Sequence, residues 1–257
     1  MRKPTPKNIT VIGIKSLSPN IRRISFQSEA LKRFPEDSEG GYIKFLFNED
    51  GTVLLGPLDD DIKPRMRTYT IRNLERSSGK MDVDFVTHVT DDKMCGFGTR
   101  WAMSAEIGDS ISIMGPGRVQ DVNVDKDWLF FSADMTSLPT LAAKLEKLPE
   151  TAKGYAVIQA IDSKDQQPIQ APKGIKVIWT TESLSAMSMQ LPWLEGEPFV
   201  WCACEFDEMR ALRQYFRNEK EVNRQDIYIS SYWKRGVAED GHKVIKKRDH
   251  DEFEDEN

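Results

Sequence analysis

Residues Arg67-Thr68-Tyr69-Thr70-Ile71-Arg72 put a guanidinium, a phenol ring and two hydroxyls on a short run with strand-forming side chains. Residues two apart on a strand share a face. Arg67 and Tyr69 therefore project together, a cation for a phosphate beside a ring that can stack on a flat conjugated system. Thr70 points the other way and would reach the same ligand through its backbone or at a bend. A solvent-exposed Arg/Tyr face would read the same, so the neighbouring sequence has to decide.

Strand-like segments surround this run at 9–14, 21–26, 42–47, 67–72, 81–86 and 110–114, with Gly, Pro, Asn and Asp clusters between them. That spacing predicts an antiparallel Greek-key β-barrel. One helix interrupts it, expected over 99–105 with Thr99 as its N-cap after Gly96-Phe97-Gly98. Unpaired amides at a helix start attract anions, and together with Arg67 they suit a pyrophosphate. A dinucleotide, FAD, has that group and FMN does not. A capped helix that simply closes the barrel is the plainer alternative.

From Asp127 the pattern changes to strands at 128–132, 156–160, 175–179, 199–204 and 226–230, alternating with helices at 138–148 and 207–218. This is the signature of an α/β domain with a parallel sheet. The expected division is a barrel domain over 1–122, an α/β nucleotide-binding-like domain over 123–245, and a charged, disordered tail over 246–257. Ligands in such sheets bind beyond the carboxyl ends of the strands. Ser132-Ala133-Asp134-Met135-Thr136 and Glu205-Phe206-Asp207 stand there, and Thr136 and Asp207 also read as ordinary N-caps.

The chain has 257 residues and a net charge of −5, which argues against a general nucleic-acid grip. No apolar run approaches the about 18 to 20 residues needed to span a bilayer. The basic start, Met1-Arg2-Lys3, has no apolar stretch behind it, so a cytoplasmic location is expected. Cys95, Cys202 and Cys204 lack metal-ligand spacing and read as reduced thiols, the latter pair buried in a strand. No metal site is expected.

Four segments in order carry a resemblance. They are Arg67 to Arg72; Val83-Asp84-Phe85-Val86-Thr87-His88; Gly98-Thr99-Arg100-Trp101-Ala102 leading to Gly108-Asp109 and Gly115-Pro116-Gly117; and Ser231-Tyr232-Trp233-Lys234-Arg235-Gly236. Together they resemble the siderophore-interacting proteins of the ferredoxin reductase-like superfamily. The resemblance implies a flavoprotein that binds FAD noncovalently and reduces ferric siderophores. It implies a flavin site of Arg67, Thr68, Tyr69, Thr70, Asp84, Val86, His88, Thr99 and Trp101, with Asp134, Thr136 and Trp233 added from the second domain. For an anionic siderophore it implies Lys44, Arg118 and Lys234 or Arg235. The flavin itself would carry the electron transfer. Where relatives have glycine, this chain has Ala133 and Cys204, and 89–97 replaces a shorter glycine-rich approach. The expected donor is therefore left as NAD(P)H or reduced ferredoxin. The alternatives in function are a siderophore-binding flavoprotein without significant turnover, and a general flavin or ferredoxin–nucleotide reductase.

Overall fold

The computed structural model describes residues 5–57, 63–87 and 96–255. The first part comprises β1 (Lys7–Ser18), β2 (Ile21–Gln27), β3 (Tyr42–Phe47), β4 (Arg65–Thr70), β5 (Asn73–Glu75), β6 (Lys80–Val86), α1 (Phe97–Ser104) and β7 (Ser110–Gly117). Its strands form one antiparallel sheet in the order β4-β3-β7-β1-β2-β6-β5. Alternation builds it: on β6, Met81, Val83 and Phe85 are buried while Asp82, Asp84 and Val86 face the other side. The sheet coils until β4 meets β6 across a single core, with the Tyr69 and Phe85 rings 4.4 Å apart.

The second part comprises β8 (Trp128–Asp134), α2 (Leu138–Leu145), β9 (Lys153–Gln159), β10 (Gly174–Thr180), α3 (Leu184–Met189), β11 (Pro198–Glu205), α4 (Phe206–Gln214), β12 (Ile227–Trp233) and α5 (Glu239–Asp255). Its strands are parallel, in the order β10-β9-β8-β11-β12. Every residue of β8 is buried. Leu129, Phe131 and Ala133 enter one core, and Trp128 and Phe130 enter another on the opposite face. Cover on both faces is why this strand reads as an unbroken apolar run. Cys202 and Cys204 are buried in β11, and burial pushes the Cys202 thiol up to about 12. Cys95 lies outside the described residues.

The two sheets share a seam. Asp165, fully buried, accepts hydrogen bonds from Ser18 Oγ at 2.7 Å and from the amide and side chain of Asn20 at 2.9 and 2.8 Å. Beside it Ile21 joins the core of the parallel sheet, and Leu17 and Val86 pack against that core.

Three sequence expectations are corrected. The first-sheet helix begins at Phe97 after Gly96, whose φ is +71°, so Thr99 is inside the first turn and is not the cap. Its hydroxyl instead donates to the Val86 carbonyl at 3.2 Å. Neither Thr136 nor Asp207 is an N-cap; Ser137 and Glu205 hold those positions. The charged segment expected to be disordered from 246 is helical as far as Asp255. That helix has no strong apolar stripe to announce it, because polar bonds dock it: Asp249 accepts two from Arg213 at 2.7 and 2.9 Å, and Lys246 donates to Ser230 at 2.7 Å.

Candidate functional site

β4 is an edge strand, so one side of its backbone is unpaired by the sheet. Phe45 and Ile43 of β3 stand opposite Arg67 and Tyr69 and share their face. The half-buried Tyr69 ring meets Phe45 edge-on at 5.5 Å and leans on Phe85. Trp101 of α1 stacks on Phe26 at 6.0 Å and lies 5.6 Å from Phe45. Arg67 is buried, its guanidinium 5.0 Å from the Phe97 ring and donating to the Met66 carbonyl at 2.7 Å. Arg100 covers the same ring at 5.2 Å. A cation, two flat rings and a helix start therefore converge.

Gly98 makes this convergence possible. A Cβ there would enter the Tyr69 ring and hydroxyl, so the helix approaches the strand only through bare backbone. Gly96 has no side chain with which to cap α1, so the N-cap residue itself takes none of the first-turn amides, the groups that suit an anion. Burial drives the Tyr69 phenol well above its usual value, against its side-chain interaction with Thr99, and so keeps it neutral. A cleft of about 320 Å³ opens beside α1, between the Asp50-Gly51-Thr52 turn and Phe97, Arg100 and Trp101. Guanidinium, ring and helix start are the set a ring-bearing diphosphate requires, and these residues fit FAD.

The structure brings together some of the expected residues and separates others. Arg67, Tyr69, Thr99 and Trp101 form one constellation. Asp84 does not share its face: it lies opposite Arg23 on β2 and takes that guanidinium at 2.6 and 2.8 Å. Val86 is also on that face but stays linked through its carbonyl to Thr99. Thr70 turns to the seam, where its hydroxyl meets that of Thr140 at 2.9 Å. Thr68 is exposed, and its amide and hydroxyl both donate to Glu239 of α5 at 2.9 Å. His88 lies outside the described residues.

A second constellation forms at the carboxyl ends of β8, β11 and β12. Trp233 donates its indole N–H to Asp134 at 2.7 Å, and Asp134 also accepts the Thr136 hydroxyl at 2.6 Å. Burial pushes the Asp134 carboxyl up, opposed by these hydrogen bonds. Glu205 accepts the Arg235 amide at 3.1 Å and also caps α4. The four expected substrate cations lie on β3, just after β7 and just after β12. Lys44 lies 5.8 Å from the Tyr42 ring, and exposed Arg118 pairs with Asp37 at 2.9 Å. Lys234 pairs with Asp207 at 2.9 Å over the Phe206 ring, and Arg235 is exposed.

Sequence reading missed Glu239 and Asp240, the first turn of α5. Asp240 lies 3.4 Å from Arg65 and 3.7 Å from Arg67. An acidic pair just after Tyr232-Trp233-Lys234-Arg235-Gly236 is the ordinary mark of a helix start and could have revealed them.

Comparison with known proteins bears on the family and the fold. Residues 10–120 match the model of the siderophore-interacting FAD-binding domain, and 126–236 that of the siderophore-interacting protein family. The chain is 31% identical to the ferric vibriobactin reductase ViuB of Vibrio cholerae, over 92% of each chain. It is 25% identical to the ferric acinetobactin reductase of Acinetobacter baumannii, over 90% of this chain and 79% of that one. Among solved structures, the siderophore-interacting protein SipS of Aeromonas hydrophila superposes with a TM-score of 0.84 and 28% identity, covering 96% of this chain and 99% of that one.

Proposed function

The chain belongs to the siderophore-interacting protein family, and on that premise we propose that it is an FAD-dependent oxidoreductase that reduces ferric siderophores. The observation that carries the reading is the Arg67/Tyr69 face of β4 set against the uncapped start of α1. Bound FAD supplies the redox chemistry, accepting electrons from a donor and passing them singly to Fe(III). Hard siderophore oxygens hold Fe(II) far less well than Fe(III), so reduction opens the complex.

In this reading Arg67 and the first-turn amides of α1 hold the diphosphate. Tyr69 orients the ring system, with Trp101 and Thr99 fixing the helix against it. Thr70, Asp134, Thr136 and Trp233 wall the site from the seam and the parallel sheet. Asp84 contributes through its ion pair with Arg23, Val86 through its carbonyl, and Thr68 through its place beside Arg67 and Tyr69 on β4. His88 remains a candidate flavin neighbour. Lys44, Arg118, Lys234 and Arg235 attract an anionic siderophore. Arg118 and Lys234 first have to leave the aspartates that now neutralise them.

The donor is NAD(P)H or reduced ferredoxin, and the place of work is the cytoplasm; among the described residues no helix is long and apolar enough to cross a membrane. The barrel portion over 1–122 carries the flavin and the α/β portion over 123–245 meets the donor. Chemically reduced protein mixed anaerobically with a ferric siderophore tests the reading. It predicts flavin reoxidation matched by Fe(II) capture. Reduced flavin that persists in excess ferric siderophore would contradict it.

A further inference from the structure

Glu239 stands at the free edge of the flavin strand, next to Asp240, which lies 3.7 Å from Arg67. The two Glu239 carboxylate oxygens each accept one bond from Thr68, the amide to Oε2 and the hydroxyl to Oε1, both at 2.9 Å. Lys243, one helical turn on, holds the same carboxylate at 3.0 Å. The Glu239 side chain is only 17% exposed, although Thr68 itself faces solvent. The Thr68 amide belongs to the peptide unit that joins it to Arg67. Fixing that plane fixes the direction in which Arg67 and Tyr69 leave the strand. As β4 is an edge strand, the sheet itself does not do this on its outer side.

We infer that Glu239 is a positioning residue of the flavin strand, acting through Thr68 and not by touching the ligand. The inference rests on the flavin reading above. It makes the C-terminal helix part of the flavin site, and it assigns Thr68 to support, with both its donors already engaged. Sites held within a fraction of an ångström need such a supporting layer.

The test is FAD titration, followed by flavin fluorescence, of wild type, Glu239→Ala, Glu239→Gln, Thr68→Val, the Glu239→Ala/Thr68→Val double variant and Asp249→Asn. Asp249→Asn loosens α5 at its far end, on Arg213, without touching β4. Glu239→Ala should raise the FAD dissociation constant about ten-fold, the usual scale for losing a supporting partner. Glu239→Gln, which keeps one acceptor, should fall between it and wild type. Thr68→Val should shift the absorption band of saturated flavin in the same way as Glu239→Ala. The double variant should bind no worse than Glu239→Ala, because both changes cut one link, and Asp249→Asn should bind as wild type does. If Glu239→Ala does not fold, Glu239→Gln and Thr68→Val decide. Additive losses in the double variant, or equal weakening by Asp249→Asn, overturn the inference while leaving the flavin reading intact. Wild type that binds no FAD overturns both.

Discussion

The start of α1 beside the antiparallel edge and the helix starts at the carboxyl ends of the parallel sheet are capped in different ways. At β4 and α1 the helix cap is a glycine, and the charged group facing inward is a guanidinium. At β8 and β11 the inward charges are the carboxylates of Asp134 and Glu205, and they take the amides themselves: Asp134 accepts from Thr136 at 2.9 Å, and Glu205 from Asp207 and Glu208. At β4 the carboxylates come from outside the sheet, Glu239 on Thr68 and Asp240 3.7 Å from Arg67, and leave the start of α1 without a side-chain cap of its own. At the parallel sheet the carboxylates belong to the strand ends themselves, so a phosphate there would have to displace them.

The largest expected effect that could break this contrast is at Arg67. Arg67→Ala should weaken FAD binding by about 2 to 3 kcal/mol, since bonds to a charged partner are the strong ones. Flavin retention after gel filtration reads it. Tyr69→Ala should cost roughly 1 to 3 kcal/mol of flavin affinity and shift the bound-flavin spectrum. Unchanged affinity and spectrum would place Tyr69 away from the cofactor.

Glu205→Ala sharpens the contrast from the other side. Loss of the α4 cap should lower stability by about 0.5 to 2 kcal/mol in thermal melts and leave FAD affinity as it is. A matching loss of flavin would mean the two regions form one site.

A smaller effect concerns pH. His242 of α5 is buried with Nε2 2.9 Å from Ser231 Oγ, and burial, then Lys246, holds its imidazole below the usual value. The unfolded chain therefore takes up the proton first. Stability present above a pH of about 6.5, the ordinary histidine value, should be lost as pH falls below it towards the folded-state pKa. Melts of wild type and His242→Gln between neutral and mildly acid pH check this; the variant should lack that part of the slope. Smallest should be the change from Arg118→Glu, because Asp37 already neutralises this exposed guanidinium. It should slightly raise the concentration of anionic ferric siderophore needed for reduction, and Lys44→Glu should raise it more. Salt should shrink both differences.

The strands were legible because burial imposes a period of two on β6 and an unbroken apolar run on β8. The pairing of Arg67 with Tyr69 was legible for the same geometric reason. What sequence could not show were contacts made by chain distant in sequence. Asp84 looks like a ligand until Arg23 is found across the strand pair. Glu239 reaches Thr68 over a separation of 171 residues. Residues 246–255 of α5 look like a tail in sequence because Lys246 and Asp249 anchor them by polar bonds, which leave no hydrophobic period.

Chromatography of the chromophore released by heat from wild type and from Arg67→Ala/Tyr69→Ala tests the central claim most directly. The account predicts FAD, near one per wild-type chain, and little or none from a folded double variant. FMN in place of FAD, no flavin in folded wild type, or equal FAD in both proteins would contradict it.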